Sequence, residues 1–312
     1  MTQSNMYSTR NRREKMKLTN LAKSVLAASA LTVASFGANA SAISTVDLSI
    51  EKLTFNFQDS NGSPISGNPA DGVVGVSLVS FTNSQAIASV NGFDDGETLP
   101  PSQDINSLDL ELEGTMGSGQ DTSLTGAYAL VDLDGSLFLP GGANGKTQAF
   151  SSAYANNNAS ANANIVNSFD AFFNLSAHCT IGCADNVNGV INFDWVLDLF
   201  MNVFDGGQST SYNYNFGISI VDTATFNEVL DFTLNPIGPD SGALNTLGLR
   251  DIDDSGSEEL NFELDWNTDY TVTISQSVSS GARSVTVPEP TSVAILGLGL
   301  LGFAGAARRR KS

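Results

Sequence analysis

Tyr212-Asn213-Tyr214-Asn215-Phe216-Gly217-Ile218-Ser219-Ile220 alternates large apolar residues with small or polar ones along its whole length. Only an extended chain, whose successive side chains point to opposite faces, brings all five apolar groups to one side. A helix would scatter them around its axis. The stretch therefore predicts a strand with one dry and one wet face, as in antiparallel sheets packed on one side only.

The same period recurs elsewhere. Leu260, Phe262, Leu264 and Trp266 alternate, and after Asn267-Thr268-Asp269 the pattern resumes with Tyr270, Val272 and Ile274. Leu108, Leu110 and Leu112 are interleaved with Asp109, Glu111 and Glu113, which places carboxylates on the wet face. Leu48 and Ile50 share one parity, whereas Leu53, Phe55 and Phe57 share the other. That phase slip at Glu51-Lys52 predicts a β-bulge. Turn clusters punctuate the runs: Asp59-Ser60-Asn61-Gly62, Asp94-Asp95-Gly96, Gly141-Gly142, Asp205-Gly206-Gly207 and Asp253-Asp254-Ser255-Gly256. Asp132-Leu133-Asp134-Gly135 also reads as a hairpin turn. Short strands with glycine-rich turns predict an all-β fold, an antiparallel β-sandwich with a jelly roll as one form of it. Residues 190–204 fit either strands or an amphipathic helix, with Trp195, Leu199 and Phe200 at helical spacing. The Ala/Asn/Ser stretch 153–164 reads as a long loop or weak edge.

Both ends of the chain differ from this body. Residues 10–17 are basic, an apolar region runs from 21 to 34, and Ala38-Asn39-Ala40 and Ala40-Ser41-Ala42 are overlapping small-residue cleavage sites. Residues 1–42 are thus a predicted signal peptide, with the mature chain starting near Ser41 or Ile43. At the other end Pro288-Glu289-Pro290 precedes an uncharged run, 291–307, and the cluster Arg308-Arg309-Arg310-Lys311. A helix over that run spans about 25 Å, enough for a transmembrane segment, and the cations after it stay cytoplasmic. The expected division is a sandwich at 43–275, a linker at 276–287 and an anchor segment at 288–312.

These three tail features in this order resemble the PEP-CTERM sorting signal of Gram-negative bacteria. The resemblance implies recognition of Pro288, Glu289, Pro290 and the Arg308, Arg309, Arg310 cluster by an exosortase, a membrane-embedded protease-transpeptidase. It further implies export, an inner-membrane intermediate, and release to the cell surface or extracellular matrix, in bacteria that commonly make exopolysaccharide and biofilm. It covers the tail alone and leaves the activity of the body open.

Without its two ends the chain, 43–287, has four basic residues, Lys52, Lys146, Arg250 and Arg283, against 31 acidic ones, a formal charge of −27. Such a surface repels nucleic acid and anionic lipid. The two cysteines, Cys179 and Cys183, flank a short glycine-containing loop beside His178, the single histidine. In an oxidising compartment a local disulfide is the first reading, and metal binding with His178 and Asp185 the alternative. Asp251, Asp253 and Ser255, followed by Gly256, match the opening of a calcium loop, although the bidentate glutamate expected at its twelfth position is Phe262. An acidic turn is the plain alternative. One histidine beside the cysteines leaves no Ser-His-Asp arrangement elsewhere, and no phosphate loop or H-E-x-x-H occurs. The expectation is a non-enzymatic surface or matrix protein without a cofactor, unless calcium is one. A carbohydrate-binding module is the first alternative and a polysaccharide hydrolase the second.

Overall fold

The computed structural model describes residues 41–285, apart from short stretches at 67–72, 77–78, 82–83, 99–102, 105–106, 118, 121–124, 155, 175–185, 205–206 and 236–240. Among the described residues there are strands and no helix. The first eight strands are β1 (Ser41–Asp59), β2 (Pro64–Ile65), β3 (Val74–Val76), β4 (Ser80–Phe81), β5 (Gln85–Val90), β6 (Phe93–Thr98), β7 (Leu108–Gly117) and β8 (Gly126–Gly135). Then follow β9 (Ala143–Tyr154), β10 (Asn158–Phe173), β11 (Asn186–Val203), β12 (Ser209–Asp222), β13 (Glu228–Thr233), β14 (Ser241–Leu244), β15 (Gly248–Asp265) and β16 (Asp269–Arg283).

They form two antiparallel sheets. One runs β15-β11-β1-β9-β8-β7, with β2 paired to β1. The other runs β13-β12-β16-β10-β5-β6, with β14 on β12 and both β3 and β4 on β10. The inner faces meet in one apolar core, with Val46, Leu48, Leu197, Leu199 and Met201 from the first sheet opposite Tyr214, Phe216, Ile218 and Ile220 from the second. This is the predicted sandwich. The quoted Tyr212–Ile220 alternation holds throughout, and all five apolar members are buried.

The bulge is where the phase slip puts it. Pairing of β1 with β11 shifts between Glu51 and Thr54, and pairing with β9 shifts between Ile50 and Leu53. Lys52 carries the local strain at φ 55°, in the left-handed region that costs an L-residue energy. Gly142 covers it so closely that a Cβ there would lie 2.5 Å from the Lys52 carbonyl carbon.

Several expectations are corrected. Of the two readings open for residues 190–204 the extended one holds, as a single strand: they lie in β11 and its end, with Ile191, Phe193, Trp195, Leu197, Leu199, Met201 and Val203 on its inner face. Apolar Val196 and Phe200 on its outer face create the helix-like density that obscured the period of two. The low-complexity stretch 153–164 belongs mostly to β10, an interior strand flanked by β16 and β5, with Ala159, Ala161 and Ala163 buried. Asp94, Asp95 and Gly96 lie within β6, and the turn before it is Asn91-Gly92, both at positive φ as a tight hairpin requires. Asp132 to Gly135 close strand β8 rather than forming the turn themselves.

The boundaries move outward at both sides. Ala42, placed in the signal peptide, is fully buried in β1 opposite Val203 and Ala153. The expected linker from 276 begins inside the core: β16 continues to Arg283, and Gln276 lies buried between the sheets. Its Nε2 donates to the carbonyls of Leu48 at 2.7 Å and Gly145 at 3.1 Å, on the opposite sheet. A Cβ on Gly145 would stand 2.7 Å from the Gln276 Oε1, so glycine makes room for this cross-sheet bond. The stretch after 276 looks like a linker because, past Val278, its inward residues Ser280 and Ala282 are small. Residues 41–285 form one compact unit. Among the described residues no helix is long and apolar enough to cross a membrane. The predicted segment 291–307, residues 1–40 of the signal peptide and the Cys179–Cys183 pair lie outside those residues.

Candidate functional site

The bulge gives the outer face of the first sheet its relief. Between β1, β11 and β15 lies an open groove of about 480 Å³ whose lining includes Lys52, Thr54, Asn192, Asp194, Ser257 and Glu259. Regular alternation would keep residue 52 in phase with its neighbours; the extra residue swings its ammonium over β11 instead. The Lys52 Nζ donates to the Asp194 Oδ2 at 2.8 Å, and the Ser257 Oγ donates to the Asp194 Oδ1 at 2.6 Å. Asp194 and Ser257 are direct partners across β11 and β15, so register aligns these two and the bulge adds Lys52. These bonds hold the Asp194 carboxyl below its ordinary pKa, first through Lys52 and then through Ser257. Lys52 is raised by the same hydrogen bond and by the charge of Asp194.

A second hollow, about 340 Å³, lies on the other flank of the bulge, with Glu51, Asp132, Asp134, Asn144 and Lys146 among its lining residues. The Lys52 backbone N–H donates to the Asn144 Oδ1 at 3.0 Å, and the Asn144 Nδ2 donates to the Asp134 Oδ1 at 2.8 Å. Lys146 pairs with Asp47 at 3.0 Å. Polar groups therefore run continuously from β8 to β15 over both flanks. What this surface can do is exchange many hydrogen bonds with a polar, extended ligand.

Farther along the same face Asp47, Asp198 and Asp253 stand side by side on β1, β11 and β15. Burial raises the Asp198 pKa most, and the charges of Asp253, Asp47 and Asp251 raise it further. The candidate calcium residues belong here. Asp251, Asp253 and Ser255 occupy alternate positions of the edge strand β15, so neither the loop nor the acidic turn forms. An extended strand sets same-face neighbours roughly 7 Å apart and aims them in parallel, whereas a calcium loop wraps them inward. Among the described residues no group of three or more His, Cys, Asp or Glu side chains has metal-holding geometry. Tyr212 and Tyr214 are buried and stacked on each other at 6.4 Å, with the Arg250 guanidinium 5.1 Å from the Tyr212 ring centroid, and so offer no outer platform.

The Lys52–Asp194–Ser257 chain escaped sequence reading. The one signal that led to it was the bulge, because cross-strand partners far apart in sequence leave no local mark.

Residues 286–311 match the PEP-CTERM protein-sorting motif. The chain thus carries the signal of an exosortase-targeted protein, exported and sorted at the membrane to the cell surface. No curated protein matches it significantly. Solved structures that align include pumpkin seed globulin, at 5% identity and TM-score 0.09 over 78% of this chain and 72% of that one. The coconut allergen cocosin aligns at 6% identity and TM-score 0.08, over 78% and 73%. Scores this low carry no argument about fold or function.

Proposed function

We propose that the sandwich is a non-enzymatic envelope or matrix module, delivered to the surface by its tail, whose bulge groove holds hydroxyl-rich chains of exopolysaccharide. The supporting observation is the groove itself: open along the face, framed by a bulge beneath Gly142, and lined by Lys52, Asn192, Asp194, Ser257 and Glu259. Carboxylate, amide, ammonium and hydroxyl groups together match the donors and acceptors of a sugar chain. An open trough passes a polymer through, whereas a small molecule is normally enclosed. Asp194, ionised by Lys52, serves as an acceptor and not as a proton donor for hydrolysis.

The test is binding of the full exported chain to matrix polysaccharide from a producing strain, with calcium and with chelator. Lys52→Ala combined with Asp194→Ala removes both charges and should weaken binding roughly tenfold, in line with the loss of a central contact pair. Equal binding by the variant and the parent would remove the groove from the reading. Release of polysaccharide fragments would replace the module with a hydrolase.

A further inference from the structure

β1 and β16 are central strands of opposing sheets, and Ser41 and Arg283 leave the sandwich at the same end. Ala42, Ala153 and Ala282 pack together there. Register brings three connections to that end: Ala159 pairs with both Val90 and Ala282, and Val203 pairs with both Ala42 and Gly248. The β5–β6 turn, the β11–β12 connection and the β14–β15 connection are therefore neighbours of the exit.

They are greasy. Phe93 is 73% exposed, Phe204 49%, Leu247 70% and Leu249 61%. Leu249 lies opposite Asn202 on the outer face, and Phe204 and Leu247 continue the two strands just past the Val203–Gly248 pair. Phe204, Leu247 and Leu249 share the β11–β15 corner, with Phe93 apart on the β6 edge, and neighbouring apolar side chains in water mark a surface that meets something. The opposite end is more acidic: Phe226 is exposed there among turns and strand ends that carry Asp59, Asp222, Asp265 and Asp269, whereas the exit end has Asp94 beside Phe93 and Asp251 beyond Leu249.

Chain length identifies what the exit end meets. Seven residues, 284–290, separate Arg283 from the apolar run that starts at Thr291. Fully extended they reach about 25 Å. The 15 residues of β16 extend about 50 Å in the other direction. A membrane that holds the run at 291–307 therefore lies within short reach of Phe204, Leu247 and Leu249, and far from Phe226. Arg283, exposed at the end of β16, also stands at this end and suits anionic headgroups, whereas Arg250 turns inward over the Tyr212 ring.

We propose that the exit end is a lipid-binding surface: Phe204, Leu247 and Leu249 enter the interface of the bilayer that holds the sorting tail, with Arg283 at headgroup level. This rests on the tail acting as a membrane anchor and adds an orientation to it. The acidic far end is then directed away from the lipid.

The full chain is reconstituted in vesicles of phosphatidylethanolamine and phosphatidylglycerol, carrying either Leu247→benzoylphenylalanine or Phe226→benzoylphenylalanine. After irradiation, lipid adducts are counted by mass spectrometry, and flotation of the same samples reports anchoring. Both variants should float, and position 247 should give roughly tenfold more lipid adduct than position 226, as expected of a side chain held at the acyl boundary. Floating chains with equal adducts at both positions overturn the surface and leave the anchor standing. Chains that stay at the bottom overturn both. Protein adducts at 247 in place of lipid also overturn the proposal, by assigning the patch to a protein partner.

Discussion

The two ends of the sandwich solve the same packing problem in opposite ways. Toward the β15–β16 corner the core is aromatic: Phe57 meets Phe173 at 4.8 Å between centroids, Phe138 at 5.9 Å and Phe262 at 6.2 Å. Toward the exit, across β8, β9, β10 and the end of β16, alanine takes over at Ala127, Ala129, Ala153, Ala159, Ala161 and Ala282, beside Ala42 of β1, while Met201 and Tyr212 fill the β11–β12 side. The sheets draw together there until the Ser44 hydroxyl of β1 donates across the core to the Ser211 carbonyl of β12 at 2.8 Å. That reach is well inside the ~10 Å that separates sheets filled by larger side chains. On the β7 side a Cβ on Gly114 would lie 2.7 Å from the Ala86 carbonyl oxygen. Volume, not hydrophobicity alone, sets sheet separation, and a small-residue core trades apolar area for proximity.

Removing volume should hurt most at the aromatic end. Phe57→Ala should cost about 3–5 kcal/mol, because the neighbouring rings of Phe55, Phe138, Phe173 and Phe262 cannot collapse into the void. Urea unfolding measures it; a loss under about 1 kcal/mol would mean that the aromatic cluster is loosely packed. Adding volume should hurt at the other end. Ala161→Leu should cost about 1–3 kcal/mol by forcing the close sheets apart, and a neutral effect in the same assay would contradict close packing at that position.

The smallest effect concerns charge on the outer face between these ends. Asp198 has a folded pKa above its unfolded one, so folding disfavours its charged form. Stability is lost as pH rises through the carboxylate range and regained as pH falls below it. Asp198→Asn should therefore stabilise at neutral pH, by about 0.5 kcal/mol, the usual scale for like charges opposite one another in a sheet. Melting curves at pH 7 and near pH 3 should show the gain at the first and its disappearance at the second. A gain that is unchanged at low pH would exclude relief of repulsion. Asp194 has the opposite sign: its folded pKa is depressed, and its contribution is present at neutral pH and lost on acidification.

Legibility in the sequence followed the same division. Where inward residues are large, as in Tyr212–Ile220 and Leu260–Trp266, the period of two is plain and the structure agrees. Where they are mostly small or polar, the strand resembles a loop at 153–164 and a linker after 275, although Val278 is buried there. The small residues carry little apolar contrast with the Asn and Ser between them. Asp251 to Glu259 failed for a related reason: an acidic edge strand and an acidic turn share composition, and charge on an exposed edge also guards it against pairing with another chain. The bulge was legible because a phase slip is local, whereas the Lys52–Asp194–Ser257 chain depends on strands up to 205 positions apart.

By itself the sequence determined the all-β class, the bulge and the sorting tail, because alternation, parity and a short linear motif are all written in neighbouring residues. Only the tertiary structure decided which small-residue stretches are core, how close the sheets come, and which end carries both the chain's exit and the Phe204, Leu247 and Leu249 group. Those properties depend on what stands opposite each residue, and that is settled by the pairing of strands distant in the chain.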